Sequence, residues 1–229
     1  MTDFPMIAVA ALALGTGAAV IWALGRAQGA RAARRAGYLA AGATLLTDRV
    51  EVLQPSGFPR LSGQHEGAQF DLQVVPDTLS VRKLPALWVL VSLPDPLPIH
   101  DTVDLMMRPT GMETFSNFGR LPVQVPAPPG FPPDCAIRTD APGAMPFAEA
   151  VREVLASVDM QRLKEVLVTP KGVRLVFLAE EAQRSRYLLY RDAEMGREPL
   201  PPARLAPFLA AAQGLRRAVL AEVEARQKT

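Results

Sequence analysis

Twenty consecutive residues from Pro5 to Leu24, PMIAVAALALGTGAAVIWAL, carry no charge, and no later stretch approaches that length without one. As a helix rising about 1.5 Å per residue, such a run is about 30 Å long, the thickness of a bilayer's hydrocarbon layer. Every face of it is apolar, whereas a helix on a globular surface shows a polar stripe. The run is therefore expected to cross a membrane and to tether everything after it. A cleaved secretory signal fits less well. Met1 to Phe4 has no Lys or Arg and includes Asp3, and the apolar run exceeds the usual length, although Ala27 to Ala30 resembles a cleavage site.

The flanks of the run set its expected orientation. Arg26, Arg31, Arg34 and Arg35 follow it and nothing basic precedes it, which places the C-terminal body in the cytoplasm by the positive-inside rule. Trp22 lies near that end, where an indole favours the headgroup region. Ala11, Gly15 and Ala19 recur every fourth residue, a spacing that lets two helix backbones approach in a membrane. The sequence thus predicts a bacterial-type inner-membrane protein with a single pass, residues 1–36 forming span and basic neck and residues 37–229 a cytoplasmic domain. The lipid bilayer is its first expected partner.

Composition narrows what that domain does. The formal net charge is +2, and much of the excess sits in the neck, so no nucleic-acid footprint is present. A single cysteine, Cys135, excludes an intrachain disulfide and fits a reducing compartment. The 22 prolines punctuate the chain without forming a low-complexity tract.

Periodicity then divides the body into strands and helices. Gly37 to Leu46 reads as a short helix continuing from the neck or the approach to the first strand. Alternating polar and apolar residues predict strands at Arg49 to Leu53 and Ala68 to Val75, separated by a turn at Pro55, Gly57 and Pro59. Leu87 to Leu93 is apolar on both faces, as a central strand would be, and Thr102 to Met107 follows. Short strands are expected within Leu121 to Val125 and at Cys135 to Arg138, with the proline-rich Pro126 to Pro133 extended between them. Phe147 to Val158 has helical spacing. Lys164 to Thr169 and Val173 to Ala179 flank Pro170, Lys171 and Gly172 as a hairpin. Arg186 to Arg191 is read as a further strand, and Ala203 to Gln227 as a helix whose apolar stripe covers the sheet. The expected fold class is α+β: an N-terminal single transmembrane helix, then a mostly antiparallel sheet domain covered by helices.

Residues able to carry chemistry are sparse. The chain has two histidines, His65 and His100. His100, Asp101 and Asp104 form a local polar group, but neighbours on a strand point to opposite faces. Cys135 lacks a nearby helix start or basic pair to activate it. Glycine-rich phosphate loops and nucleophile elbows are absent, so no catalytic residue, metal ligand or cofactor is assigned. Arg184, Arg186, Arg191 and Arg197, mixed with acidic residues, offer an electrostatic docking surface for another protein. The leading functional expectation is a non-enzymatic accessory, assembly or scaffold component that binds a membrane or cytoplasmic protein. An enzyme using His100, Asp101 and Asp104, or the carboxylates Asp71 and Asp77, is one rival. A peripheral domain that lays the neck arginines and the C-terminal helix on anionic lipid is the other.

Overall fold

Nine strands form one sheet in the order β1-β2-β3-β4-β9-β8-β5-β7-β6, with every neighbouring pair antiparallel. The computed structural model describes residues 3–78, 84–111, 113–141, 143–190 and 195–228, with the side chains of 3–11, 13, 186, 189 and 190 outside that set. The strands are β1 (Thr47–Leu53), β2 (Pro59–His65), β3 (Ala68–Asp77), β4 (Ala86–Leu93), β5 (Val103–Met107), β6 (Val123–Val125), β7 (Cys135–Thr139), β8 (Leu163–Thr169) and β9 (Gly172–Glu181). Among the described residues four α-helices accompany them: α1 (Asp3–Ala36), α2 (Ala148–Ser157), α3 (Arg184–Tyr190) and α4 (Pro202–Gln227).

The first four strands make a meander, with tight turns joining β1 to β2 and β2 to β3, where Gly57 and Gly67 have positive φ. β4 then pairs not with β5 but with β9, so the β8–β9 hairpin is inserted at the middle of the sheet. That placement explains the composition of β4 and β9, which are apolar on both faces because both are covered.

One face carries the main core. Leu72, Val89, Val91, Val166, Leu175 and Phe177 point into it, and α4 lies over β4 and β9 with Leu205, Phe208, Leu209, Ala212, Leu215 and Val219 buried. The Phe177 and Phe208 rings stack with centroids 4.1 Å apart and planes 9° from parallel. Pro202 opens α4 at the position where a missing N–H costs nothing. α2 packs alongside α4, and the Ala150 N–H donates to Glu222 Oε1 at 3.0 Å.

The opposite face divides in two. Over β5, β8, β9 and β4 it is roofed by the segment after β5, which places Phe115 against Trp88 at 5.4 Å and Phe118 under the Arg138 guanidinium. Over β1, β2 and β3 it is open and polar, with an Arg60–Asp71 ion pair at 2.8 Å.

Among the described residues no helix is long and apolar enough to cross a membrane. α1 spans 34 residues, but from Leu14 onward it runs through Gly15, Thr16 and Gly17 and then Arg26, Gln28, Arg31, Arg34 and Arg35. Alanine and glycine fill most of the rest and have little apolar area to remove from water. The transmembrane tether, the single-pass inner-membrane address and the cytoplasmic orientation inferred from it are therefore withdrawn. The fold is a long nine-stranded antiparallel sheet with its two long helices, α1 and α4, before and after it in the chain, not a sheet domain hung from a spanning helix. The strand expected at Arg186 to Arg191 is instead helix α3 as far as Tyr190, with Arg191 outside the described residues. β2, read only as a turn and its sequel, is a full strand between β1 and β3.

Candidate functional site

The residues singled out from sequence do not converge. Arg26 lies over Trp22 of its own helix at 5.7 Å, and Arg35 lies over Phe58 at 5.8 Å, fastening the end of α1 to the β1–β2 turn. Arg31 and Arg34 are exposed on α1. Of the small-residue stripe, Ala11 lies outside the described side chains, Ala19 is exposed, and nothing stands within 4 Å of where a Cβ on Gly15 would be. Arg184 and Arg197 are exposed, whereas the Arg186 side chain and Arg191 lie outside the described residues.

The enzyme reading loses its geometry as well. His100 is exposed in the loop before β5, while Asp104 is buried within the sheet. His65 is held by Nδ1 at 2.8 Å from the Leu45 carbonyl oxygen, which makes that nitrogen the donor. Asp71 is engaged by Arg60. Among the described residues no group of three or more His, Cys, Asp or Glu is placed to hold a metal ion. The apolar stripe of α4 is buried against the sheet, which removes the surface that lipid binding required. Two adjoining open clefts of about 370 and 330 Å³ share Asp159, Arg162 and Arg204. Both arginines there are engaged, Arg162 with Asp159 and the Leu178 carbonyl, Arg204 with the Ala179 carbonyl.

Asp104 belongs instead to a buried ionic cluster under the roofing segment. Glu165 of β8 pairs with Arg174 of β9 at 2.8 Å, and Ser116 donates to Asp104 Oδ2 at 3.4 Å. Burial, and then the charge of Glu165, hold the Asp104 carboxyl well above the usual range; burial also raises Glu165, against the opposing pull of Arg174. Beside them Lys164, the extra residue of a bulge in β8, donates to the Met107 and Arg108 carbonyls and reaches Glu113 at 3.2 Å. Burial pushes Glu113 up, but the Thr110 N–H and the Lys164 charge outweigh it and leave the carboxyl below its ordinary value. These groups tie residues 108–121 to the sheet from beneath. The cluster is closed over by its own anchors, so its chemistry is that of a fastening. Charged residues inside otherwise apolar strands, Lys164, Glu165 and Arg174, were the sequence signal for it.

The candidate interaction site is at the edge of the sheet. β1 is exposed along its whole length, and Val50, Val52 and Leu53 are 61, 60 and 59% exposed. Among the described residues, the other exposed large apolar side chains lie on α1 or are Leu188. Gln54 N–H donates to the Phe58 carbonyl at 2.9 Å in the closing turn. The antiparallel alternation from that bond turns the backbone of Val52 and Val50 toward β2. It leaves the N–H and C=O of Glu51 and Leu53 facing outward. A bulge between Thr47 and Val50, with Asp48 at φ 48°, bends the start of the strand, and Gly63 makes room for it because a Cβ there would meet Thr47 O at 2.8 Å. From Val50 to Leu53 the register is regular. The strand itself is legible in the alternation of RVEVL; its place at an edge is not, since that depends on which strands pair.

No family model matches the chain, and no curated protein matches it. Among solved structures, the chain is similar to the mycobacterial trehalose monomycolate transport factor A, TtfA, at 9% identity over 77% of this chain and 76% of that one, with a TM-score of 0.34.

Proposed function

We propose that this chain is a non-enzymatic protein-binding component, serving an accessory, assembly or scaffold role, and that it receives an extended partner segment along β1. One observation carries the reading: β1 combines an open row of backbone donors and acceptors with Val50, Val52 and Leu53 exposed on it. Folded proteins ordinarily blunt such an edge with charges, bulges, proline or a covering element, because it templates pairing with another chain; on β1 the bulge is confined to the start of the strand, and Val50 to Leu53 stays regular and exposed. Strand addition uses both features, main-chain bonds for affinity and alternate side chains for choice of partner.

A photoreactive amino acid at Val52, with the same substitution at the equally exposed Leu188 of α3 as the comparison, tests it in cells producing the full chain. The expected result is a discrete crosslinked species from position 52 that disappears when Val50→Lys is added. Equal crosslinking from both positions, or a position-52 adduct indifferent to Val50→Lys, would overturn the reading.

A further inference from the structure

We propose that residues 113–121 form a lid over the β5, β8 and β9 face of the sheet, latched while Asp104 and Glu165 share one proton and released when that proton leaves.

The lid is attached in a way that lets it lift alone. Among the described residues its backbone hydrogen bonds stay within the segment: the Ser116 N–H donates to the Glu113 carbonyl, Arg120 to Asn117 and Leu121 to Phe118. Moving it therefore breaks no strand ladder. Side chains hold it down instead. Phe115 lies against Trp88 at 5.4 Å, the Ser116 hydroxyl donates to Asp104 Oδ2 at 3.4 Å, Lys164 reaches Glu113 at 3.2 Å and Arg138 donates to the Leu121 carbonyl at 2.7 Å. A segment tied by few contacts opens locally at less cost than global unfolding.

Beneath the lid the charges do not balance. Asp104 on β5 and Glu165 on β8 are buried, and Asp104 Oδ1 and Glu165 Oε1 have no hydrogen-bond partner. Arg174 of β9 bonds Glu165 at 2.8 Å. Lys164 of β8 is engaged by the Met107 and Arg108 carbonyls and by Glu113, which comes down from the lid. Arg138 of β7, opposite Asp104 in register, reaches up to Leu121 and lies over Phe118. β4 presents Trp88, Leu90 and Ser92 on this face and adds no charge. One cation thus serves two buried carboxylates, and one proton on the pair balances the site.

When that proton leaves, the second negative charge needs water. The other face of these strands is closed by the core at Val103, Leu105, Val166 and Leu175, so water enters from the lid side. Lifting the lid hydrates both carboxylates, breaks the Ser116 tie and uncovers Trp88. Glu113 does not work against this as pH rises. Burial pushes its carboxyl up, but the Thr110 N–H and then Lys164 outweigh burial, so it is already charged in that range. The device closes at low pH and opens at high pH.

Trp22 and Trp88 are the two tryptophans, so Trp22→Phe leaves Trp88 as a reporter under the lid. In that background, acrylamide quenching of Trp88 is expected to rise by at least about twofold from pH 5 to 8 with the far-UV signal unchanged. Asp104→Asn keeps an acceptor for Ser116 and removes the second charge. It is expected to hold quenching at its low-pH level throughout, and Glu165→Gln to do the same from the other side of the pair. Hydrogen exchange over the same range, corrected for intrinsic rates, is expected to show residues 113–121 losing protection while β4 keeps it.

Quenching indifferent to pH, an undiminished rise in either folded carboxyl variant, or protection lost from β4 together with the segment would overturn the lid.

Discussion

Asp104 on β5 and Glu165 on β8 stand diagonally on one face of adjacent strands, 2% and 0% exposed, and each keeps one carboxyl oxygen without a hydrogen-bond partner. Arg174 is the cation both feel, and the Ser116 hydroxyl donates to Asp104 Oδ2. Two buried carboxylates with one cation between them cannot both ionise cheaply, so the pair holds a proton that exposed acids would release.

Stability is accordingly expected to depend on pH in a particular direction. A carboxyl raised in the folded state binds its proton more tightly than in the unfolded chain. Its contribution is complete below the unfolded value of about 4 and is lost as pH rises through the folded value. Glu113, lowered when folded, acts oppositely: its contribution is present above the unfolded value and is lost as pH falls through the folded one. Asp104→Asn removes the first titration. Urea midpoints across pH 4 to 8 should fall with rising pH in the parent chain and flatten in the variant; parallel profiles would refute the shared proton.

Lys164 and Glu113 form the opposite case, a buried pair with side chains 5% and 7% exposed and both partners charged. Removing one partner leaves an uncompensated charge, at a cost of about 3–5 kcal/mol. Lys164→Met and Glu113→Gln are each expected to destabilise by that order. Replacing both should recover much of the loss, because the desolvation penalty goes with the charges. A double-mutant cycle in urea measures the coupling, and additive single effects would show that the pair is not what holds the segment down.

Much of this architecture was readable from the chain. Val166, Val168, Val173 and Leu175 around a Pro-Lys-Gly turn fix the β8–β9 hairpin, and the spacing from Leu205 to Val219 fixes α4. What eluded sequence reasoning was set by distant residues. β2 hides because Pro59 and Gly63, ordinarily turn residues, are used there for the strand start and for the close approach of β1. RYLLYR has an apolar centre that suits either a strand or a helix, and periodicity cannot separate them in so short a run. From Leu14 onward α1 is rich in alanine and glycine and then carries its arginines, so the described part of the uncharged run has less apolar area than its length suggests. The charges of Lys164, Glu165 and Arg174 inside apolar strands hint at the ionic cluster, but joining them to Asp104 needed the β5–β8 pairing between residues about sixty positions apart.

The stacked pair Phe177 and Phe208 joins α4 to the sheet, and both rings are buried. Truncating a buried phenylalanine costs about 3–5 kcal/mol, part transfer and part cavity. Phe208→Ala is therefore expected to lower the urea midpoint strongly, and Phe208→Leu by distinctly less, because most of the volume is kept. Hydrogen exchange should show α4 amides losing protection in Phe208→Ala ahead of those in β4. Uniform loss across both would mean that α4 and the sheet open as one unit.

Two glycines should respond to alanine with opposite signs. Gly172 begins β9 at φ 130°, a region nearly closed to other residues, and a Cβ there would run into the Leu93 carbonyl oxygen and approach Asp95 N at 3.0 Å. Backbone confined to such a region costs about 1–3 kcal/mol for a residue with a side chain, and the crowding of β4 adds to it. The turn cannot yield easily, since Leu97 N–H donates to the Pro170 carbonyl and Thr169 pairs with Gly172 to close the hairpin. Gly214, within α4, has ordinary helical geometry and nothing within 4 Å of its Cβ position. Alanine there is worth up to about 1 kcal/mol through helix propensity and a less flexible unfolded chain. Gly172→Ala should therefore lower the thermal midpoint by many degrees while Gly214→Ala raises it by a few. Calorimetry on the two single variants and their combination checks this, because sites so placed should add, and a neutral Gly172→Ala would mean that the hairpin turn is looser than its contacts with β4 require.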